Sequence, residues 1–267
     1  MPSRVTLLLG KPPRPGTLLA EVADELETRG LTVTVRLPHE EPVEAADLAA
    51  ESLVVHRGLN GSVTSVLGEL HHRGVPLCNP WPADRLLRDR RSWQAALAAA
   101  EVPLPPSITV ERWPDVLARA GTQQVVAKAF AGPGRGTQVV TGTGRTLPRD
   151  APFPGPYLVE QRLPADGTDR KLYLAGRVVR GLLKASTLEG RHTTSGTPFE
   201  PDAVQVDLAL RVQRALGAHL IGVDLLHTPT GPVVVDVNGF PGFRGVPGAV
   251  PLVTEHILEH VAGPSAG

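Results

Sequence analysis

Residues 222–239 read GVDLLHTPTGPVVVDVNG, two apolar runs joined by Thr-Pro-Thr-Gly. Apolar, β-branched runs bounded by turn residues predict an antiparallel hairpin. With Thr230 at the midpoint of the turn, Asp224 falls opposite Asp236, and Asn238 shares their face. The other face then carries Val223, Leu225, Val233, Val235 and Val237, a core pattern. A one-residue slip would turn an acid toward that core, so the register constrains any fold this chain adopts. Facing carboxylates destabilise a sheet by roughly 0.2–1 kcal/mol, and by more once desolvated. A divalent cation removes that cost. Oxygen-only donors suit Mg²⁺ or Mn²⁺, with a substrate phosphate completing the octahedron. The plainer alternative is a solvent-facing edge with two unrelated acids. The Gly/Pro loop GFPGF that follows favours a ligand, because such a loop permits close backbone approach.

Upstream, the first eighty residues alternate strand and helix: RVTLLLG, a helix over 16–30, LTVTVRL, SLVVHRG, a helix over 62–74, and VPLCNP. That order predicts a parallel sheet with crossover helices, a Rossmann-like domain without the G-x-G-x-x-G of dinucleotide binders. A helix over 82–100, the step EVPLPPS, a strand SITV, a helix RWPDVLARAG and a strand QQVVAKAF follow. Then come the loop AGPGRGTQ, strands VVTG and YLVEQRLP, and a hairpin turning at Ala175-Gly176. A polar loop over 187–200, a helix over 202–217, the 222–239 hairpin and a last helix near 249–261 complete the chain. The expected units are 1–80, Rossmann-like; 81–160, carrying the glycine loop; and 161–267, carrying the metal hairpin. The fold class is α/β combined with α+β.

Charge and cysteine content narrow the function. The 27 basic and 27 acidic residues cancel, which speaks against a nucleic-acid binder that relies on net charge. Cys78 is the only cysteine, so no intrachain disulfide forms. The N-terminal apolar run is too short for a signal peptide, and no stretch reaches the roughly 20 apolar residues of a membrane span. A soluble, cytoplasmic protein is expected. Its oligomeric state is open.

Lysine occurs only at positions 11, 128, 171 and 184, so Lys128 inside the apolar strand VVAKAF is conspicuous. The loop after it, with Gly132, Gly134 and Gly136, can turn its N–H groups to phosphate oxygens, and Lys128 adds a point charge. The pattern is not that of a Walker loop. Glu160 closes YLVEQRLP, where backbone groups can meet a purine edge and nearby carboxylates (Asp166, Asp169) ribose hydroxyls. HILEH at 256–260 matches H-x-x-E-H of some zinc peptidases. With no third ligand evident, a helix bearing histidines on its polar side is expected there instead.

Taken together, RDRRSWQAALAAAEVPLPPS, VVAKAFAGPGRGTQ, LVEQRL, GTDRK and GVDLLHTPTGPVVVDVNGFPG resemble, in this order, the ATP-grasp superfamily, and within it the RimK-type α-L-glutamate ligases. The resemblance implies an ATP-grasp fold behind a Rossmann-like domain, with ATP and Mg²⁺ (or Mn²⁺) as cofactors. It implies a carboxylate substrate, an amine acceptor and an acyl-phosphate between them, without nucleic acid or membrane. By the same resemblance, Asp224, Asp236 and Asn238 are metal ligands. Arg90, Lys128, Gly134, Gly136, Glu160, Gln161, Leu163 and Asp169 bind nucleotide. Lys128, Lys171, Lys184 and Arg191 act on phosphate and substrate.

The chain departs from the pattern in places. Arg90 replaces the family's helix lysine, and an arginine can hold phosphate bidentately. Asp236 replaces a glutamate and is one methylene shorter, which bears on whether one metal or two are held. The loop 187–200 is short. Two alternatives follow: a small-molecule kinase using Arg170, Arg180, Arg191 and Arg244, or a nucleotide-binding protein without turnover.

Overall fold

The computed structural model describes residues 3–130, 138–186, 188 and 196–262. Strands β1 (Arg4–Leu9), β2 (Thr32–Arg36), β3 (Leu53–Arg57) and β4 (Leu77–Cys78) form a parallel sheet in the order β2-β1-β3-β4. The helices α1 (Leu18–Thr28) and α2 (Ser65–His72) cross between them. The second helix was expected to start at 62; Gly61–Thr64 instead form a 3₁₀ turn leading into it.

The helix expected over 82–100 is two, α3 (Trp81–Arg88) and α4 (Arg90–Ala99). Asp89 breaks the run with extended φ/ψ (−113°, 114°), and its carboxylate accepts from the N–H groups of Arg91 and Ser92. A short acceptor side chain competes better as an N-cap than inside a helix, so the chain restarts there. The restart makes Arg90 the first residue of α4.

A second sheet holds β5 (Ser107–Val110), β6 (Val125–Ala129), β7 (Val139–Gly142) and β8 (Tyr157–Gln161), all antiparallel, in the order β5-β8-β6-β7. Helix α5 (Trp113–Ala120) covers it through Trp113 and Val116. The third sheet is also antiparallel: β9 (Thr168–Ala175), β10 (Val178–Ala185), β11 (Thr197–Phe199), β12 (Leu220–Thr228) and β13 (Gly231–Gly239), ordered β11-β10-β9-β12-β13. Strand β11 lies inside the expected polar loop. Three residues carry too little periodicity to be read as a strand, and pairing with β10 makes it one.

The two faces of the third sheet differ. Leu172, Leu174, Ile221 and Val223 pack beneath α4 and α6 (Ala203–Leu216). On the other face Tyr173 and Leu220 join the core of the first sheet, together with Val253 and Ile257 of α7 (Ala249–Val261). Farther along that face stand Lys171 and Asp224, paired across β9 and β12. A single strand face thus passes from core to charged cleft.

Asn79 fixes the junction between the first and third sheets. Its Oδ1 accepts from the N–H groups of His219 (2.8 Å) and Leu220 (2.7 Å), and its Nδ2 donates to the Leu220 carbonyl at 2.8 Å. Beside it Cys78 is fully buried, and burial pushes its thiol up to about 12. Iodoacetamide is therefore expected to leave Cys78 unmodified in the native protein over a time that fully alkylates the urea-unfolded chain, as read by mass spectrometry.

Candidate functional site

The hairpin reaches the expected pairing by a different route. Thr228 pairs with Gly231, so the turn is the two residues Pro229 and Thr230, and the register shifts by one between Asp224 and Leu225. The shift makes Val235 an extra residue of β13, and Asp224 lies opposite Asp236. The core face differs accordingly. Leu225 pairs with Val234, which is fully buried, whereas Val233 and Val235 are only half-buried. Left out of the ladder, Val235 accepts a hydrogen bond at its carbonyl oxygen from Lys128 Nζ at 2.8 Å.

Lys128 arrives from the second sheet. Along β6, Val125 and Ala127 pack into the core under α5, so strand alternation turns Val126 and Lys128 the other way. There the second and third sheets enclose a cavity of about 790 Å³. Val126 and Val139 line it on one side and Leu226 on the other; Gln161 to Ala165 form its connecting edge. Apolar walls with a few convergent charges are what a small-molecule site requires.

Among the described residues, six of the eight charged side chains lining the cavity are paired. Lys128 Nζ lies 2.6 Å from Glu160 Oε2, with both side chains under a tenth exposed, and Gln94 Nε2 donates to Glu160 Oε1 at 3.3 Å. Lys171 Nζ donates to Asp224 Oδ2. Arg90 Nη1 lies 3.0 Å from Asp236 Oδ1, its guanidinium 5.5 Å over the Trp93 ring. Burial raises the Asp224 pKa above the ordinary carboxylate range. Lys171 pulls it down, and the facing Asp236 pushes it further up. Burial opposes the Lys171 charge, but Asp224 outweighs that and the lysine's pKa is raised. Lys184 is lowered, first by burial and then by neighbouring Lys171.

Arg90, Lys128, Lys171, Asp224 and Asp236 line this one cavity, as do Glu160, Gln161, Leu163 and Asp169. Lys184 does not line it, although it pairs with Asp169 across β9 and β10. Asn238 is exposed and outside the lining. Gly134, Gly136 and Arg191 lie outside the described residues. The loop GFPGF does not line the cavity. It instead buries Phe240 and Phe243, both at positive φ (41° and 48°), and Arg57 Nε donates to the Phe240 carbonyl at 3.0 Å. Sequence reasoning did not single out Val126, Leu226 or the Val235 carbonyl. Apolar wall residues look like core in a sequence, and a backbone acceptor leaves no trace in one.

The oxygen donors fit a hard divalent cation. Asp224 and Asp236 face each other in register, and each already holds a positive side chain where a metal charge would serve. Two antiparallel sheets closing on such a cleft, behind a parallel N-terminal sheet, define an ATP-grasp fold.

Comparison with known proteins agrees. Residues 182–259 match the family described as the inositol 1,3,4-trisphosphate 5/6-kinase ATP-grasp domain. A probable alpha-L-glutamate ligase of Xanthomonas oryzae pv. oryzae (strain MAFF 311018) is 28% identical over 214 residues, 74% of this chain and 72% of that protein. Among solved structures, the RimK domain ATP-grasp protein of Sphaerobacter thermophilus DSM 20745 superposes with a TM-score of 0.73 at 23% identity, covering 96% of this chain and 100% of that one. The ATP-grasp ligase PsnB, solved with its precursor peptide PsnA2 and AMPPNP, gives 0.69 at 18% identity, with 97% of each chain covered. The chain has the ATP-grasp fold, and it resembles the RimK-type α-L-glutamate ligases.

Proposed function

We propose that this chain is an ATP-dependent carboxylate–amine ligase, with ATP seated between the units 81–160 and 161–267. The observation that carries the proposal is the meeting, in one cavity, of Lys128 from the second sheet with Asp224 and Asp236 from the third. Val126 and Leu226 offer apolar surface to an adenine, and residues 161–163 offer backbone groups to its edge. Lys128 and Arg90 reach the phosphates, exchanging their present carboxylate partners for phosphate oxygens. Asp224 and Asp236, with Asn238 beyond them, would hold Mg²⁺, which when bound neutralises phosphate charge and favours attack at the γ-phosphorus.

The substrate carboxylate attacks the γ-phosphorus, breaking the bond to the β-γ bridging oxygen and releasing ADP. An amine then adds to the carbonyl of the acyl-phosphate, loses a proton and expels inorganic phosphate, leaving an amide. In this reading Lys171 stabilises the charge that moves onto the transferred oxygens, and Lys184 and Arg191 serve the substrate side. Most of the rate then comes from positioning and fixed charge, which needs no Ser or Cys nucleophile. Among the described residues no helix is long and apolar enough to cross a membrane. A cytoplasmic setting suits an ATP-consuming enzyme whose one thiol is buried.

The family match at 182–259 keeps phosphoryl transfer to a hydroxyl as the competing reading. Measuring ADP release with Mg-ATP and a panel of amino acids, peptides and polyols tests both. Release that requires a carboxylate and an amine together, with amide detected by mass spectrometry, is the expected result. Release driven by a polyol without amine would replace the ligase with a kinase.

A further inference from the structure

Three imidazoles meet at the opposite end of β12 from the cleft acids. His256 and His260, four residues apart on α7, present their rings on one helix face, and His219, the residue before β12, meets them. Ring centroids are 4.2 Å apart for His256–His260 and 4.6 Å for His219–His260. One donor nitrogen from each of the three residues falls within 4.8 Å of the others. The third ligand that HILEH lacked in sequence is therefore present, 37 positions before its first histidine. Glu259, the acid of that motif, faces solvent, so a peptidase arrangement is absent.

We propose that His219, His256 and His260 form a transition-metal site, with Zn²⁺ as the ion it fits, tying the C-terminal helix to the nucleotide-binding sheet. Donor chemistry sets the class of ion. Three neutral nitrogens suit Zn²⁺ and its neighbours in the first transition row and disfavour Mg²⁺ and Ca²⁺. Modest ring rotations bring the nitrogens to the spacing of about 3.3 Å implied by tetrahedral Zn–N bonds of about 2.0–2.1 Å.

The tautomers are nearly set. His260 Nδ1 lies 2.8 Å from the His256 carbonyl, which can only accept, so the proton is on Nδ1 and the Nε2 lone pair is free. That lone pair points at His219 Nδ1, 2.7 Å away, which must therefore donate. A backbone carbonyl orienting the far side of a ring is the usual support of a metal-bound histidine. An ion entering between the rings takes the place of the shared proton, and His219 changes tautomer.

His256 supplies the second, independent indication. The residue is 4% exposed, and among the described residues neither ring nitrogen has a hydrogen-bond partner. Room for the ring comes from Gly176, at φ 56° in the β9–β10 turn, where a Cβ would sit 3.0 Å from His256 Nδ1. Among the described residues, this buried ring with two unused nitrogens beside two more imidazoles has no hydrogen-bonding partner to satisfy it. A metal ion satisfies it. His219 and His260 are half-buried, leaving the fourth position to water.

The test uses the full chain, stripped of metal with a chelator and titrated with ZnCl₂ in the absence of nucleotide. Calorimetry is expected to show one ion per chain, accompanied by a rise in melting temperature, and Co²⁺ in its place should give visible ligand-field bands of a four-coordinate site. His219→Asn and His260→Asn, at the half-buried positions, should each weaken binding by at least about a hundredfold, the upper range for losing even an orienting partner of a ligand. Asp224→Asn should bind as the native chain does. No binding by the folded protein overturns the site. So does binding that survives both histidine substitutions, or that Asp224→Asn removes, since the ion would then belong elsewhere.

Discussion

Asp224→Asn is expected to reduce ADP formation by about a thousandfold or more while shifting the melting temperature by no more than about 3 °C. The rate term follows from the proposed role of this carboxylate. It faces Asp236 across the hairpin, and losing a preorganised charge at a phosphoryl-transfer site costs about 10²–10³ in rate even for a single donor. The stability term follows from its protonation. Burial raises its pKa in the folded state, so the native chain holds that proton more tightly than the unfolded chain does. Ionising Asp224 therefore works against folding as the pH rises through that range, and a neutral amide at neutral pH removes the penalty. Asn keeps an acceptor for Lys171, and Asp169 still offsets that lysine's charge. The check is coupled-assay turnover at saturating Mg-ATP beside a thermal melt. Native-like turnover would detach the hairpin acids from the chemistry. A collapse in melting temperature would make Asp224 a structural residue.

Much of the fold was legible because period and punctuation agree. RVTLLLG and SLVVHRG read as strands of a parallel sheet, and residues 202–217 as a helix; in the structure Asp202 caps α6 with Gln205 in a capping box. The hairpin is more instructive. Placing the turn symmetrically about Thr230 paired Asp224 with Asp236, yet the turn is Pro229-Thr230, and a bulge at Val235 restores the same pairing. Turn composition could not reveal that bulge, and it is the bulge that frees the Val235 carbonyl for Lys128. What sequence hides is partnership across distance. Arg90 meets Asp236 146 positions away, and His219 meets His260 41 positions away. Each side chain read alone is a surface charge or a helix polar face. Only the packing of three sheets and α7 makes them pairs. The loop GFPGF, whose glycines suit a ligand contact, holds Phe240 and Phe243 at positive φ and turns both into the core.

Lys128→Met should abolish measurable ADP formation and also lower the melting temperature by about 6–20 °C. The thermal effect comes from Glu160, whose side chain is 3% exposed and whose only cationic partner among the described residues is Lys128. Removing one member of a buried ion pair typically costs about 3–5 kcal/mol, and a chain of this size loses roughly 2–4 °C per kcal/mol. If that account is right, neutralising both members should be far gentler than neutralising one. The double variant Lys128→Met with Glu160→Gln keeps the hydrogen-bonding shape of residue 160 beside Gln94, so its melting temperature should recover most of the loss. Its turnover should not recover, because the phosphates still lack their lysine. Recovery of stability without activity separates the two duties of Lys128: holding Glu160 while the cleft is empty and holding phosphate when it is filled. A double variant as unstable as the single one would mean that the ion pair contributes nothing and that the aliphatic stem of Lys128 supports the sheet. A double variant that regains turnover would move phosphate binding to Arg90 alone.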